Sequence, residues 1–189
     1  MLARRRLLPK LDKVAVVGRF LSADEHAILL DWAEGQFANG RLAANPAGPC
    51  RYFARYDPGS DVPDLFWEVR KRAVAMFSVE EYEDEPRYRC FLGCNTDGGF
   101  VSQHKDPSPP GKRHVRMNIM ISMPRRGGYP VIEGKTYRVA ERDLWCFYPT
   151  LMAHGSKPMA GERKRFLISI GILVPETPGE AAGGPQGED

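Results

Sequence analysis

Two histidines and an aspartate have the residue types of a metal site. His104 and Asp106 stand two positions apart in the segment GGFVSQHKD at residues 98–106. Because residues two apart in an extended strand project from the same face, both side chains can reach one point. His154 follows much later, after the apolar segment LWCF at residues 144–147. Two imidazoles and one carboxylate can occupy one face of a non-haem iron and leave its other positions open, and zinc accepts the same donors.

A cationic segment near the C-terminal end is a candidate for binding a carboxylate. In the sequence GERKRFLISIG at residues 161–171, Arg163, Arg165 and Ser169 have the same parity along a predicted strand. A buried arginine needs an anionic partner, because an unpaired charge away from water is costly. The carboxylate of a ligand can supply that partner through two parallel hydrogen bonds. Parity does not distinguish Arg163 from Arg165.

Polar and apolar residues also alternate in the segment RMNIM at residues 116–120. Arg116 and Asn118 share one side of this predicted strand. That side faces either solvent or a pocket. If it faces a pocket, Arg116 is a candidate for binding a carboxylate of the substrate, such as an amino acid or another small anion.

The elements that must position these residues are two helices followed by many strands. Ser22 and Glu25 form a capping-box pattern at the start of the first helix, and the second helix begins near residues 60–63. Residues 39–59 are rich in Gly, Pro and Asn and are predicted to form a long loop. Strands are predicted, with turn residues between them, at residues 88–94, 100–104, 115–123, 135–139, 144–148 and 165–174. This order predicts an α+β domain, a sandwich or jelly-roll barrel with the helices on one face.

Composition limits the possible classes of protein. The chain has 189 residues, of which 42% are hydrophobic and 27% charged, as expected for one globular domain. The formal net charge of +3 does not by itself indicate a nucleic-acid partner. We expect a basic extension at residues 1–13, one domain at residues 14–175 and a disordered tail at residues 176–189. With neither a signal peptide nor a membrane-spanning run predicted, a cytoplasmic location is expected, and the oligomeric state is left open.

The motifs together resemble the iron(II)- and 2-oxoglutarate-dependent dioxygenases. The resemblance rests on VGRFLSADE at residues 17–25, GGFVSQHKD at 98–106, the pair Gly127-Gly128, and HGS at 154–156 followed by Arg165 and Ser169. It is nearest to the prolyl-hydroxylase branch and has features of the phytanoyl-CoA hydroxylase type. The resemblance implies a double-stranded β-helix, that is, a jelly-roll core with the N-terminal helices packed on one face.

The resemblance also assigns site residues. It implies that His104, Asp106 and His154 hold Fe(II), that 2-oxoglutarate and O2 are cosubstrates, and that ascorbate helps to maintain activity. The distal carboxylate of 2-oxoglutarate would bind Arg165, with Ser169 beside it and Arg163 as the alternative. Related prolyl hydroxylases often carry a tyrosine ten residues before the first histidine, where this chain has Cys94. A second tyrosine is expected near Asn118, so Cys94 and Asn118 are candidates for further cosubstrate contacts.

The activity implied is hydroxylation of an amino-acid side chain, free, carrier-bound or peptidyl, with release of succinate and CO2. The substrate would be a small molecule or a peptide, and nucleic acid is not an expected partner. The alternative is a non-catalytic or zinc-holding jelly-roll module that binds a carboxylate ligand through the same residues. A metal hydrolase is disfavoured because the sequence has no HExxH-like spacing.

Overall fold

The computed structural model describes residues 13–46, 48–77 and 81–176. The helices are α1 (Ala23–Ala38) and α2 (Asp64–Met76). The strands are β1 (Ala15–Val17), β2 (Ala43–Ala44), β3 (Arg51–Arg55), β4 (Glu83–Asp84), β5 (Cys90–Asn95), β6 (Lys112–Met120), β7 (Arg126–Gly127), β8 (Pro130–Ile132), β9 (Lys135–Thr136), β10 (Leu144–Phe147), β11 (His154–Ser156), β12 (Met159–Ala160) and β13 (Arg165–Pro175). Apart from Lys13 and Glu176, the predicted extension and tail lie outside the described residues. None of the helices in the described ranges is long and apolar enough to cross a membrane.

Helix α1 begins at the predicted capping box. The Ser22 hydroxyl accepts a hydrogen bond from the Glu25 amide at 3.1 Å, and the Ser22 amide donates to the Glu25 carboxylate at 2.8 Å. These two bonds satisfy amide groups that have no partner within the helix. Arg72 of α2 also binds the Glu25 carboxylate, with distances of 2.6 and 2.8 Å. The same carboxylate therefore caps one helix and ties it to the other.

The largest sheet has eight antiparallel strands. Seven of them run in the order β1-β10-β6-β13-β5-β3-β2, and β4 pairs with the far part of β13. One face of this sheet packs against the two helices, because alternate residues of β5, β6 and β13 are apolar and buried there. This core includes Leu29, Ala33, Phe66, Val69, Ala73, Leu92, Ile119, Phe166, Ile168 and Ile170. The opposite face carries the polar residues of the same strands.

A second layer covers that polar face. It consists of β11-β8-β9 and the pair β12-β7, together with an antiparallel bridge between His104 and His154. Two antiparallel layers with a cavity between them form a double-stranded β-helix. The predicted α+β jelly-roll core with two N-terminal helices on one face is thus confirmed.

Two local predictions were wrong. Residues 39–59 do not form a continuous loop, since β2 and β3 lie within them and β3 extends the main sheet beside β5. The Gly- and Pro-rich flanks concealed the strand-forming sequence RYFAR at residues 51–55. Residues 100–104 form only the isolated bridge between His104 and His154 instead of a strand.

Candidate metal centre and ligand pocket

The three predicted metal ligands converge at one end of the cavity. One potential ligand atom from each of His104, Asp106 and His154 lies within 4.8 Å of the other two. Asp106 Oδ1 is 3.3 Å from His104 Nε2 and 3.9 Å from His154 Nε2. Backbone hydrogen bonds of 3.0 and 2.9 Å between the two histidines hold the segment of His104 against β11. The Asp106 amide donates to the carbonyl of Pro149, which anchors the loop that carries the carboxylate.

Both histidines are oriented for metal binding by their second ring nitrogen. His104 Nδ1 lies 2.9 Å from the Ser102 carbonyl oxygen, and His154 Nδ1 lies 3.1 Å from that of Met152. Because a carbonyl only accepts hydrogen bonds, each Nδ1 must carry the proton. In the neutral form of each ring, Nε2 is then the unprotonated nitrogen, and it lies 3.3 Å (His104) or 3.9 Å (His154) from Asp106 Oδ1. This is the arrangement that metal-ligating histidines adopt.

Asp106 is held as a carboxylate by its neighbours. Burial alone would raise the pKa of Asp106, but the contact with His104 and the positive charge of Arg116 outweigh burial and hold this pKa well below its usual range. Burial lowers the pKa of His154 to about 4, so this ring is neutral near pH 7. The hydrogen bond with Asp106 is the main cause of a raised pKa at His104. A carboxylate and a neutral imidazole are the protonation states that a divalent metal requires.

Arg116 contacts the metal triad through Asp106. Its Nη2 lies 3.5 Å from Asp106 Oδ2 and 3.5 Å from a carboxylate oxygen of Glu85, and its Nη1 donates to the Tyr88 carbonyl at 3.3 Å. A side chain at position 171 would meet Arg116 Nη1 at 2.7 Å, so Gly171 leaves the space that this guanidinium occupies. The guanidinium thus has two acidic partners within the protein. Arg116 also lines the cavity, so its predicted contact with a substrate carboxylate stays a prediction. The structure adds a contact with Asp106 Oδ2, the oxygen that faces away from the two histidines of the triad.

The triad opens into a cavity of about 500 Å³ between the two layers. Its floor is a set of residues aligned across neighbouring strands of the main sheet. Arg51 of β3, Asn95 of β5 and Arg165 of β13 form one such row, and Asn118 of β6 stands beside Ser169 of β13 in another. Trp145 and Phe147 of β10 continue the wall towards His154, whose ring lies 4.9 Å from that of Phe147. The cavity therefore joins the triad to a polar floor.

Arg165 is the cation of that floor. It is 3% exposed, its Nε has no hydrogen-bond partner, and no described carboxylate forms an ion pair with it. Burial, together with the positive charge of Arg51, lowers the pKa of Arg165 to about 10. The Ser169 hydroxyl and the Asn95 amide nitrogen also lack partners. Three buried polar side chains without partners, all facing one cavity, are typical of a site for an anionic ligand.

The structure does not bring two of the predicted residues to the cavity. Arg163 precedes β13, is about half exposed and pairs with Glu141 at 2.6 Å. Cys94 lies in the core beneath the helices, where burial raises the pKa of its thiol to about 12. Gly93 and Asn95 on either side of it face the cavity instead. Asn118, like Arg165 and Ser169, lies where the prediction expects it, on the cavity wall.

Sequence reasoning missed three polar residues of the site. Arg51 was assigned to a loop, and Asn95 was not singled out. His114, which no motif of the sequence singles out, is buried with its Nδ1 3.8 Å from Asp106 Oδ2. Burial lowers the pKa of His114 to about 3, so it is a neutral neighbour of the triad. Alternation along β5 could have indicated Asn95, because residues 90, 92 and 94 are apolar and Asn95 lies on the other face of the strand.

Solved structures with the same fold include several oxygenases. A Pseudomonas putida prolyl-4-hydroxylase matches with a TM-score of 0.66 and 18% identity over 87% of this chain and 93% of that chain. A Trichoplax adhaerens prolyl hydroxylase in complex with a hypoxia-inducible-factor peptide matches with a TM-score of 0.68 and 14% identity over 91% and 87%. HygX from Streptomyces hygroscopicus, with nickel, 2-oxoglutarate and hygromycin B bound, matches with a TM-score of 0.62 and 14% identity over 86% and 82%.

These likenesses define the fold of the chain. No protein-family model and no curated protein matches the sequence. The chain therefore has the double-stranded β-helix of the prolyl hydroxylases and HygX, as its motifs predict. At this level of sequence identity the likeness concerns the fold alone.

Proposed function

We propose that the chain is an iron(II)- and 2-oxoglutarate-dependent dioxygenase that hydroxylates an amino-acid side chain, free, carrier-bound or peptidyl. The observation that carries this proposal is the pairing of the triad with an unpartnered Arg165 in one cavity. A structural metal site has no need of an adjoining cavity, and a simple carboxylate-binding site has no need of a metal triad. A cosubstrate with a chelating end and an anionic end uses both.

The residues present fit Fe(II). Two neutral imidazoles and one carboxylate are the donors of the non-haem iron oxygenases, and they leave the cavity side of the metal free for other ligands. With iron, 2-oxoglutarate and O2 bound, the chemistry supplied is oxidation of a C–H bond to an alcohol, with loss of CO2 from the cosubstrate to give succinate. The same donors also accept zinc, so a test of this proposal must distinguish iron from zinc.

The protein supplies orientation and charge. Ser102 and Met152 carbonyls fix the two imidazoles, and Arg116 holds one oxygen of Asp106 so that the other faces the metal position. Arg165 would pair with the distal carboxylate of 2-oxoglutarate, and Ser169 and Asn118 would add polar contacts. Trp145 and Phe147 add apolar surface to the cavity wall beside the triad, and an apolar wall strengthens electrostatic contacts near it.

The test is release of succinate by protein reconstituted with Fe(II) and ascorbate under anaerobic conditions, before and after air is admitted. Oxygen-dependent succinate is expected even without the natural substrate, and it should disappear in His104→Ala. Arg163→Gln is the matched control, because this arginine is exposed and paired outside the cavity, so its succinate release should equal that of the wild type.

The alternative remains a zinc-holding or non-catalytic module that binds a carboxylate. It would hold zinc tightly, bind a carboxylate at Arg165 and release no succinate with iron loaded. That result would contradict the proposed oxygenase.

A further inference from the structure

The pocket carries more positive charge than the proposed cosubstrate can neutralise. Five cationic residues line it, and the only acidic residue on its wall in the described chain is Asp106. The cations are Arg51, Arg87, Lys105, Arg116 and Arg165. Arg116 is paired with Asp106 and Glu85, and Arg165 is the proposed partner of the cosubstrate. Three cations therefore remain for another ligand.

The three remaining cations have no acidic partner within the described residues. Neighbouring arginines are paired: Arg55 binds Asp57 at 2.9 Å, and Arg89 binds Asp84. Arg51, Arg87 and Lys105 form no ion pair with a described carboxylate, although Asp57 and Glu85 lie on adjacent segments. Cations left unpaired around a cavity raise the local concentration of anions and favour their binding.

Arg51 and Arg87 line the cavity beside the same aromatic residues. The Arg87 guanidinium lies 5.1 Å from the centre of the Tyr88 ring, and Arg51 stands two positions before Phe53 on β3, on the same face of the sheet. The Tyr88 ring contacts Phe53 at 6.2 Å and Phe91 at 6.1 Å, measured between ring centres. All three aromatic rings line the cavity and are only partly buried. An apolar wall thus lies directly beside two free guanidinium groups.

We propose that the pocket formed by Arg51, Arg87, Lys105 and the aromatic wall Phe53–Tyr88–Phe91 binds a small amphipathic organic anion as the substrate. The inference rests on the proposed function and deepens it by naming the substrate class. The oxyanion of the substrate, a carboxylate or a phosphate group, pairs with Arg51 and Arg87. Its apolar body lies against the three rings, between the arginines and the metal. The cavity volume of about 500 Å³ suits a cosubstrate together with a small substrate, so among the substrates of the proposed function it favours a free small molecule over a peptide.

The two arginines have distinct places in this site. Arg51 is aligned with Asn95 and Arg165 across the main sheet and lines the same cavity as His104, so it lies at the cosubstrate end of the pocket. Arg87 is exposed and stands at the mouth. An anion that enters past Arg87 can therefore reach Arg51 while its body remains beside the aromatic wall.

The experiment compares an anion with its neutral isostere and adds a second ligand that carries a different oxyanion. Zinc-loaded protein saturated with 2-oxoglutarate is titrated by calorimetry with 3-phenylpropionate, with its neutral isostere 3-phenylpropionamide, and with phenyl phosphate. The same titrations are made with metal-free protein without 2-oxoglutarate, so that failure of the oxygenase proposal does not conceal the result. The variants are Arg51→Gln and Arg87→Gln, and the control is Arg41→Gln, whose side chain is exposed and paired with Asp61 at 3.3 Å.

We expect at least one of the two anions to bind tenfold or more tightly than the amide. Each of the two pocket variants should reduce that ratio several-fold, and Arg41→Gln should leave it unchanged. The comparison of the two anions identifies the oxyanion. Equal binding of acid and amide, binding of none of the three compounds, or a preference that survives both pocket variants would overturn the proposal. Failure of the wild-type protein to bind 2-oxoglutarate would instead count against the proposed function.

Discussion

Arg116 and Asp106 form a buried ion pair in which the two oxygens of the carboxylate have different neighbours. Oδ2 lies 3.5 Å from Arg116 Nη2 and 3.8 Å from His114 Nδ1, whereas Oδ1 faces both metal-binding histidines. The pairing fixes which oxygen is available to a metal. We infer that Arg116 is a positioning residue for the triad, a role distinct from its predicted one as a ligand of the substrate.

Replacing Arg116 with methionine should weaken metal binding. Residues that orient a metal ligand typically contribute about 10- to 100-fold to affinity, so Arg116→Met should lower Mn(II) affinity, measured by calorimetry, by that factor. Glu85 keeps its hydrogen bonds from the amides of Arg87 and Tyr88, so the fold should persist. Arg41→Met is the control. Unchanged metal affinity in Arg116→Met would return this arginine to its predicted role at the substrate.

Arg165 should determine affinity for the distal carboxylate of 2-oxoglutarate. Loss of a charge-assisted hydrogen-bonded pair costs about 1.5–3 kcal/mol, so Arg165→Gln should raise the dissociation constant of 2-oxoglutarate about tenfold or more. Affinity for 2-oxopentanoate, which lacks the distal carboxylate, should change little. Arg163→Gln should leave both values unchanged, because Arg163 pairs with Glu141 outside the cavity. The opposite order of effects would assign the cosubstrate to Arg163.

Gly155 should be required to keep the two histidines of the triad close enough to bind one metal ion. A Cβ at this position would lie 2.5 Å from the Val101 carbonyl oxygen, so Gly155→Ala must push residues 101–104 away from β11. We expect Mn(II) affinity to fall at least tenfold while the far-UV circular dichroism remains native. Gly35→Ala is the matched control: its Cβ meets nothing within 4 Å in α1, so it should preserve metal binding and raise stability by about 0.5–1 kcal/mol. Equal metal binding by both variants would disprove this role.

Glu25 should give the fold an acid-sensitive component. The hydrogen bond from Arg72 is the largest cause of the lowered pKa of Glu25, which falls from 4.5 to about 2. A carboxylate with a lowered pKa stabilises the fold fully above pH 4.5, and this stabilisation is lost as the pH falls towards 2. Glu25→Gln should therefore reduce the free energy of unfolding at pH 7 by about 1 kcal/mol and by less near pH 3. Urea denaturation at both pH values measures this, and a difference that does not shrink in acid would contradict it.

The three residues of the triad could be predicted from the sequence because they lie in short local patterns. His104 and Asp106 occupy alternate positions of one segment, and His154 follows an apolar strand. Alternation placed Arg163, Arg165 and Ser169 on one face of the last strand, and the resemblance to the dioxygenases favoured Arg165. Capping chemistry predicted the start of α1 to the residue, since Ser22 and Glu25 satisfy each other locally.

The rest of the site depends on pairing between distant strands, which alternation within one strand does not encode. Arg51 reaches the cavity only because β3 aligns it with Asn95 and, through β5, with Arg165. Cys94 was selected by its distance from His104 along the chain, but the pleat of β5 turns its side chain into the core. Arg163 shares the parity of Arg165, but β13 begins only at Arg165. The alternation of faces along a strand therefore does not apply to Arg163.

The most direct test of the account is the visible absorption spectrum of the anaerobic protein with Fe(II) and 2-oxoglutarate. A 2-oxo acid that chelates iron through its ketone and carboxylate oxygens produces a charge-transfer band that neither component gives alone. We expect this band in the wild-type protein, its loss in Asp106→Ala, and a requirement for more 2-oxoglutarate in Arg165→Gln. Absence of the band in wild-type protein saturated with both components, or its persistence in Asp106→Ala, would contradict the proposed metal and cosubstrate site.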